Sequence, residues 1–364
     1  MYITNIELQD FRNYEKLSLT PDRQVNIFHG NNAQGKTNLL EAMYICGTTK
    51  SHRGSKDKEM IAFEKEESHI RIHVQKEHMP YRIDIHLKKT GKKVISVNQV
   101  PIKKYSELFG IVNFVFFSPE DLAMIKNGPQ VRRQFMDMEL SQIQRLYLSY
   151  LACYQKILQD RNRVLKEQPR DMNLLLDVLD EQLVKYGSYI IEKRTEFISE
   201  LKNIGQNIHN TLSGGLEKLD LCYEQNVTVE DFLTALQQNR EKDKLLKNTS
   251  VGPHKDDVVF VINGNNVRKY GSQGQQRTVA LTLKLSEIRL MKEKTGENPI
   301  LLLDDVLSEL DQHRQQFLLT SIGQTQTFIT CTGMEEFIRQ IMCEYRIFEV
   351  NTGTVYERTV TLHE

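Results

Sequence analysis

One segment combines glycines, a lysine and a hydroxyl residue at the spacing used to bind phosphate. It reads Gly30-Asn31-Asn32-Ala33-Gln34-Gly35-Lys36-Thr37 and fits GxxxxGK followed by serine or threonine. Glycines let the backbone curl so that successive N–H groups face a nucleotide's phosphates, and the following helix adds its positive N-terminus. Lys36 would neutralise phosphate charge, and the Thr37 hydroxyl would ligate Mg²⁺. The whole segment is therefore predicted to bind a nucleotide.

Two aspartates follow a strongly apolar run. Ile300-Leu301-Leu302-Leu303 precedes Asp304 and Asp305, and the run predicts a buried strand. A P-loop needs an acidic partner at a strand end to complete its metal site. We predict that Asp304 holds Mg²⁺ together with Thr37, and that Asp305 polarises the attacking water. Catalysis is thus assigned to Asp305 and Lys36; alone, the acidic pair would be an ordinary turn after a buried strand.

A third segment places serine and glycine at the start of a predicted helix, which is another anion-binding end. It reads Gly271-Ser272-Gln273-Gly274-Gln275-Gln276-Arg277, and alone it would be an ordinary helix cap. In ABC-type ATPases, a signature loop of this kind meets the γ-phosphate of a nucleotide held by the other subunit. Ser308-Glu309-Leu310-Asp311 is similar to their D-loop. The order of these segments resembles ABC-type ATPases, which implies ATP as the nucleotide and contacts from Ser272, Gly274 and Gln275.

Further segments narrow the resemblance. The chain resembles the RecF family of bacterial recombination mediators, which is related to the SMC proteins. The matching segments span nearly the whole chain: Phe11-Arg12-Asn13-Tyr14, Lys50-Ser51-His52-Arg53, Phe117-Ser118-Pro119-Glu120-Asp121-Leu122, Gly128-Pro129 with Arg132-Arg133, Gly252-Pro253-His254-Lys255-Asp256-Asp257 and Ser272-Gln273-Gly274-Gln275-Gln276-Arg277.

The resemblance implies a weak ATPase that forms a homodimer with ATP and separates on hydrolysis. It implies binding of gapped, single-stranded or junction DNA, and cooperation with RecR and RecO in loading recombinase. The resemblance further implies a role in recombinational repair of DNA damage, in replication restart and in the SOS response. It also implies that Arg12 lies near the nucleotide, as an arginine does in SMC-type heads. The alternative for Arg12 is a solvated loop cation.

Two positions depart from the wider ABC pattern. Asp305 stands where transporters and SMC proteins generally carry glutamate, and its shorter reach predicts slow turnover. After the predicted strand at Phe328-Ile329, the chain reads Thr330-Cys331-Thr332 where transporter cassettes carry histidine. A threonine hydroxyl there would sense the γ-phosphate and would not act as a base.

The alternative function is the ATPase subunit of a membrane transporter. The long, helical interval between Lys36 and Ser272 argues against it. An SMC-like structural protein would need long heptad runs, which the sequence lacks. A nucleotide kinase would not need the signature and D-loop segments.

The composition of the chain limits the class of protein and the partners that it can have. The 364 residues are 39% hydrophobic and 26% charged, which is typical of a globular protein. The net charge of zero counts against strong, indiscriminate DNA binding but leaves room for a local basic patch. No apolar run approaches the ~20 residues of a membrane span, and no signal peptide is evident, so we predict a cytoplasmic protein. The dispersed cysteines predict buried thiols in a reducing compartment: Cys46, Cys153, Cys222, Cys331 and Cys343.

Some polar groups leave two interpretations open. Lys50, His52 and Arg53 would contact DNA phosphates or order the nucleotide site, and the alternative is a solvated loop. Arg132 and Arg133 lie near the start of a predicted helix, where the helix dipole disfavours cations. Their placement there suggests a specific role for the two side chains. The remaining groups are interpreted as a structured turn and as packing residues rather than a metal cluster and a base-stacking platform: His254 with Asp256 and Asp257, and Tyr147 with Tyr150 and Tyr154.

The patterns predict an α/β fold, an ABC/SMC-type P-loop ATPase head with an antiparallel β portion and a helical insertion lobe. Alternation predicts antiparallel strands at 69–75, 81–87 and 93–97. The helical segment predicts helices at 129–164, 172–212 and 229–246. The predicted parts are an N-terminal ATPase part (1–128), a helical lobe (129–248) and a C-terminal ATPase part (249–364).

Overall fold

The computed structural model describes residues 1–77, 79–323, 325–333 and 345–358. The chain divides into two compact units, one formed by residues 1–121 with 287–364 and the other by residues 122–286. The N-terminal part of the first unit contains β1 (Tyr2–Phe11), β2 (Tyr14–Leu19), β3 (Val25–His29), α1 (Lys36–Thr48), β4 (Glu67–Gln75), β5 (Pro80–Lys88), β6 (Val94–Val97), β7 (Val100–Pro101) and β8 (Phe114–Phe117).

The remaining helices and strands follow in chain order, with short 3₁₀ turns between some of them. The second unit contains α2 (Leu122–Lys126), α3 (Pro129–Ile143), α4 (Arg145–Glu167), α5 (Met172–Leu212), β9 (Leu219–Glu224), α6 (Phe232–Gln238), α7 (Arg240–Leu246), β10 (Asp257–Ile262), β11 (Asn265–Asn266), α8 (Val267–Tyr270) and the start of α9 (Gln273–Thr295). The chain then returns to the first unit with β12 (Ile300–Asp304), α10 (Gln312–Ile322), β13 (Thr327–Cys331), β14 (Tyr345–Asn351) and β15 (Thr354–Arg358).

The first unit contains two six-stranded sheets. One is antiparallel, in the order β2-β1-β4-β5-β6-β7. The other has the order β15-β14-β3-β13-β12-β8, and all its pairings are parallel except β14 with β15. In this second sheet β3, β13 and β12 are neighbours, so their carboxyl ends lie at one edge. The P-loop, Thr330 and Asp304 therefore meet there, although they are far apart in the chain.

Helix α1 is buried on nearly every face. Its side chains join a core cluster that also contains residues of β1, β4 and β5 from the antiparallel sheet and of β12 and β13 from the mixed sheet. Leu39, Leu40, Met43 and Ile45 are fully buried in that cluster. A helix surrounded by apolar partners has a fixed axis, and this fixes the direction of its N-terminus. The phosphate-binding end of α1 is thereby held rigidly.

The predicted antiparallel strands are confirmed. β4, β5 and β6 pair in antiparallel register, and apolar residues alternate with polar ones along them. Ile70, Ile72 and Val74 point into the core, whereas His69 and Arg71 lie on the opposite face. One wet face and one buried face explain the period of two.

Among the predicted helices, only 172–212 agrees at both ends. The predicted helix 129–164 is wrong because Gln144 adopts an extended conformation (φ −134°, ψ 103°) and separates α3 from α4. The predicted helix 229–246 is likewise two helices, with Asn239 between α6 and α7. Neither break carries a proline or glycine, so local sequence gave little signal for it.

The boundary predicted at 248/249 differs from the observed division. Strand β9, within the segment predicted to be helical, pairs antiparallel with β10 from Asp257↔Glu224 to Ile262↔Leu219. This pairing makes residues 249–286, with Ser272, part of the second unit. Asn263 and Gly264 close a hairpin between β10 and β11, and both residues have positive φ.

The cysteine prediction is partly wrong. Cys46 and Cys331 are buried free thiols, whereas Cys153 and Cys222 are exposed free thiols; Cys343 lies outside the described residues. In the described part of the chain, no helix is both long enough and apolar enough to cross a membrane.

Candidate nucleotide-binding site

The P-loop turns sharply between β3 and α1. Gly35, the residue before the helix, has φ 114°, and a Cβ there would lie 2.6 Å from Asn13 Nδ2. Only glycine fits both the backbone conformation and this close approach. The helix expected directly after the P-loop is confirmed as α1, which begins at Lys36 and ends at Thr48.

Lys36 is the buried cation of the loop. Its Nζ donates hydrogen bonds to the carbonyl oxygens of Gly30 (2.5 Å) and Asn31 (2.9 Å). Burial lowers the pKa of Lys36, while the nearby Asp305 and Asp304 charges act in the opposite direction. The ammonium group is therefore held within the loop, beside the two aspartates.

Asp304 joins three elements through one oxygen atom. Its Oδ1 accepts hydrogen bonds from Thr37 Oγ1 (2.8 Å) and Thr330 Oγ1 (2.7 Å). Thr37 lies on α1, Thr330 on β13 and Asp304 at the end of β12. A hydroxyl and a carboxylate in contact offer the oxygen ligands that Mg²⁺ prefers.

Asp305 has different surroundings from its neighbour. Its φ is 53°, and its N–H donates to Thr330 O (3.2 Å) and Thr330 Oγ1 (3.0 Å). The buried Asp305 Oδ1 has no hydrogen-bond partner among the described residues. Burial raises the pKa of Asp305, and the Lys36 charge opposes that rise. An unpaired carboxylate oxygen of this kind suits a bound water or a metal-bound water.

These groups line one cavity of about 180 Å³. Its predicted members are Asn32, Ala33, Gln34, Gly35, Lys36, Thr37, Asp304 and Asp305. Asn38, Arg53 and Thr330 also line it. Asn38 had no predicted role, whereas Thr330 belongs to the segment predicted to sense the γ-phosphate. Gly30 and Asn31 contribute the carbonyl groups that hold Lys36. Among the interpretations of Arg53, its position in the lining favours the nucleotide site.

Arg12 lies outside this lining. Its guanidinium forms a bidentate ion pair with Glu41, in which Nε donates to Oε2 and Nη2 donates to Oε1 (both 2.9 Å). Arg12 Nη2 also donates to Ser55 Oγ (2.7 Å). The next residue, Asn13, contacts the P-loop instead. Its Nδ2 donates to Gln34 O (2.8 Å), and its Oδ1 accepts from Asn38 Nδ2 (2.9 Å).

Glu41 is a buried carboxylate that the sequence prediction missed. Besides Arg12, it accepts a hydrogen bond from Ser51 Oγ (2.5 Å), and that hydroxyl oxygen accepts from Arg53 N (3.1 Å). Burial alone would raise the pKa of Glu41, but hydrogen bonds from Arg12 and Ser51 and the Arg12 charge outweigh it and lower the pKa. Glu41 therefore ties α1 to the loop that carries Arg53. Its position four residues after Thr37, inside an apolar helix, was the available signal.

The turn between β14 and β15 also holds the P-loop. Thr352 N donates to Gln34 Oε1 (2.6 Å), and Gly353 N donates to Gln34 O (3.0 Å). No local motif marked this turn, because its role depends on β14 pairing with β3.

Comparison with known proteins identifies the family. Residues 2–355 match the model of the RecF/RecN/SMC N-terminal domain. The chain is 56% identical to the DNA replication and repair protein RecF of Lachnospira eligens, over 98% of this chain and 99% of that protein. The chain belongs to the RecF family.

Other members support this assignment. RecF of Agathobacter rectalis is 54% identical, over 98% of this chain and 99% of that protein. A solved structure of the recombination mediator protein RecF with ATP, in the RecFOR pathway, is 37% identical with a TM-score of 0.91, and covers 98% of both chains. An SMC head bound to ScpA is 13% identical with a TM-score of 0.60, which shows the fold alone. The ABC/SMC-type head fold is confirmed, and the transporter alternative gains no support.

The signature residues of this RecF-family chain begin α9 in the second unit. Ser272 N donates to Gln275 Oε1 (2.9 Å), and Gln275 N donates to Ser272 Oγ (3.2 Å). This reciprocal pair is a capping box, which orders the start of the helix beside the half-buried Gly274. None of Ser272, Gly274 and Gln275 lines the cavity around Lys36.

His52 is a packing residue rather than a DNA-contacting cation. Its ring stacks on Phe116 at 3.9 Å between centroids. Burial, with the Arg53 and Arg12 charges, lowers the pKa of His52 to about 4, although Glu41 acts in the opposite direction. The imidazole is therefore neutral near pH 7.

Four further residues that were left open, Arg132, Asp256, Tyr147 and Tyr154, have structural roles. Arg132 is buried and holds Asp257 through Nε (2.6 Å) and Nη2 (2.9 Å). Asp256 accepts a hydrogen bond from Asn226 N (2.8 Å) within a structured turn, as predicted. Tyr147 and Tyr154 are buried, which confirms the packing interpretation for both.

Proposed function

We propose that this RecF-family chain is an ATP-dependent, DNA-binding protein of DNA replication and repair that uses ATP as a dimerisation switch. The observation that carries the proposal is the similarity of 98% of the chain to RecF proteins, combined with a P-loop cavity. In that cavity one buried oxygen of Asp305 has no hydrogen-bond partner among the described residues. ATP held by Lys36 of one subunit and Ser272 of the other joins two protomers. Loss of the γ-phosphate on hydrolysis separates them.

Each residue of the cavity has a distinct part in this proposal. The backbone from Gly30 to Gly35 and the Lys36 ammonium hold the phosphates, and Thr37 with Asp304 holds Mg²⁺. When bound, the metal neutralises charge on the phosphate oxygens. Asp305 orients the attacking water through its unpaired oxygen and accepts its proton. Hydrolysis is slow, because aspartate reaches less far than the glutamate found in most ABC-type ATPases.

The partners in the proposal are DNA and the other proteins of the same pathway. A RecF relative of known structure is a recombination mediator in the RecFOR pathway. By this similarity, the dimer acts with RecR and RecO at gapped or single-stranded DNA, where recombinase is loaded during repair, replication restart and the SOS response. That setting is the bacterial cytoplasm.

Sedimentation of the full-length protein tests the switch. We expect dimers with ATP·Mg²⁺, monomers without nucleotide, and binding of gapped DNA by the dimer. Lys36→Met should stay monomeric because it loses the phosphate-binding cation. Ser272→Arg should bind nucleotide in a filter assay yet fail to dimerise. A wild-type monomer indifferent to ATP and DNA, or a Ser272→Arg variant that dimerises normally, would contradict the proposal.

A further inference from the structure

A cluster of potential metal ligands lies on the solvent-exposed face of the antiparallel sheet, and none of its residues lines the nucleotide cavity. Glu67 and His69 lie on β4 and His86 lies on β5, and one ligand atom of each lies within 4.8 Å of the other two. His69 and His86 are directly paired across the strands. Two nine-residue strands in continuous antiparallel register thus hold the three side chains together.

The two imidazoles are arranged closely. Their ring centroids lie 4.0 Å apart at an angle of 22°, and His86 Nε2 lies 2.7 Å from Glu67 Oε2. Two charged imidazoles would repel each other at this distance. A neutral imidazole offers a nitrogen lone pair to a metal ion.

Positively charged side chains near the cluster could compete with a metal ion for the Glu67 carboxylate. Lys88 Nζ lies 3.8 Å from Glu67 Oε1 and competes for that carboxylate. Arg71, the next residue on the same face of β4, is already paired with Asp84 (2.5 Å) and Glu7 (2.8 Å). Among the described residues, Lys88 is therefore the lysine that competes for the Glu67 carboxylate, and its flexible side chain can swing into solvent.

We propose that Glu67, His69 and His86 form a binding site for a divalent transition-metal ion of the Zn²⁺ class. Two imidazoles and one carboxylate are a ligand set that Zn²⁺ accepts, and a water would complete the tetrahedron. Ligands about 2.1 Å from one tetrahedral ion lie roughly 3.4 Å apart. Rotation of these exposed or half-exposed side chains can close the present spacing without moving either strand. A bound ion would fasten β4 to β5 across the sheet surface.

Titration of the full-length protein with Zn²⁺, without nucleotide or Mg²⁺, tests the site by calorimetry. His69→Ala and His86→Ala should each weaken binding at least about tenfold, because each removes one of three ligands. Glu67→Gln should weaken it in the same direction. His73→Ala is the matched control, since His73 lies on the same face of β4 but outside the cluster, and it should bind like the wild type.

Co²⁺ provides a second readout that does not depend on stability. The wild type and His73→Ala should give the visible absorption of a tetrahedral Co²⁺ site, and His69→Ala and His86→Ala should lose it. Circular dichroism establishes that each variant is folded. The proposal is overturned if Zn²⁺ binds neither the wild type nor the control. It is also overturned if binding survives both histidine substitutions, or falls equally in His73→Ala.

Discussion

Asp304 and Asp305 are adjacent in the chain but differ in what their carboxylates contact. One oxygen of Asp304 accepts hydrogen bonds from Thr37 and Thr330, whereas one buried oxygen of Asp305 has no partner in the described part of the chain. Asp304 is the last residue of β12, and the positive φ of Asp305 turns the backbone away from the direction of that strand. Neighbouring carboxylates in unlike environments can take separate roles, one as a metal ligand and one towards water.

A pH-dependent contribution to stability belongs to His52. Its pKa is lowered to about 4 in the folded chain from 6.5, so between these values the unfolded chain binds the extra proton. The free energy of unfolding should therefore fall as pH drops from 6.5 towards 4, with His52 contributing up to about 3 kcal/mol. His52→Phe keeps a ring against Phe116 and removes this contribution. Urea unfolding of both proteins at several pH values measures the difference.

The comparison at pH 7.5 serves as the control, because there His52 is neutral in both states and only packing differs. Relative to the wild type, His52→Phe should gain stability steadily as the pH is lowered through this window. Parallel pH profiles for the two proteins would show that His52 is not buried as a neutral group.

At the scale of elements, the sequence predicted the parts of the site that lie next to their own motifs. The P-loop follows from its own residue spacing. β12 ends at Asp304, so an apolar run followed by two aspartates sufficed to predict it. The β14–β15 turn, β9 and Glu41 were missed because their roles arise from pairing with distant segments. The break at Gln144 was missed because no residue there forbids a helix. Local patterns report local geometry, and long-range pairing requires the structure.

The β14–β15 turn should matter to nucleotide affinity. Gly353 has φ 78°, and a Cβ there would lie 2.0 Å from Asn13 O. Gly353→Ala must therefore displace the turn or Asn13, both of which hold Gln34. Loss of one such hydrogen bond corresponds to about 1 kcal/mol, so we expect ATP binding to weaken about fivefold. Titration with a fluorescent ATP analogue measures the change.

Gly91→Ala is the matched control for backbone strain. Gly91 also has positive φ (104°) and lies in the same unit, and no atom of the described residues lies within 4 Å of the place that its Cβ would take. It should lose some stability without losing ATP affinity. Equal affinities for the two variants would mean that the turn does not support the P-loop.

At the scale of the whole molecule, the net charge says little about the surface. In the second unit, Arg161 pairs with Asp180 (2.7 Å) and Asp243 (2.8 Å), and all three side chains are fully buried. Arg194, also buried, pairs with Asp137 (2.8 Å). These arginines cannot contact DNA phosphates, because their charges are neutralised inside the fold. A neutral total therefore neither supports nor opposes a local basic surface.

The P-loop and the signature segment belong to different compact units, and the proposed dimer makes each site from Lys36 of one protomer and Ser272 of the other. Lys36→Met and Ser272→Arg should each be inactive as ATPases alone. In a mixed dimer, one site carries both substitutions and the other carries neither. Because neither variant dimerises alone, the dimers that form in an equal mixture are mixed, and each has one intact site of two. Mixing should thus restore up to about half of wild-type activity. If Lys36 and Ser272 served the same nucleotide within one protomer, mixing would restore nothing, and steady-state hydrolysis by the mixture separates the two arrangements.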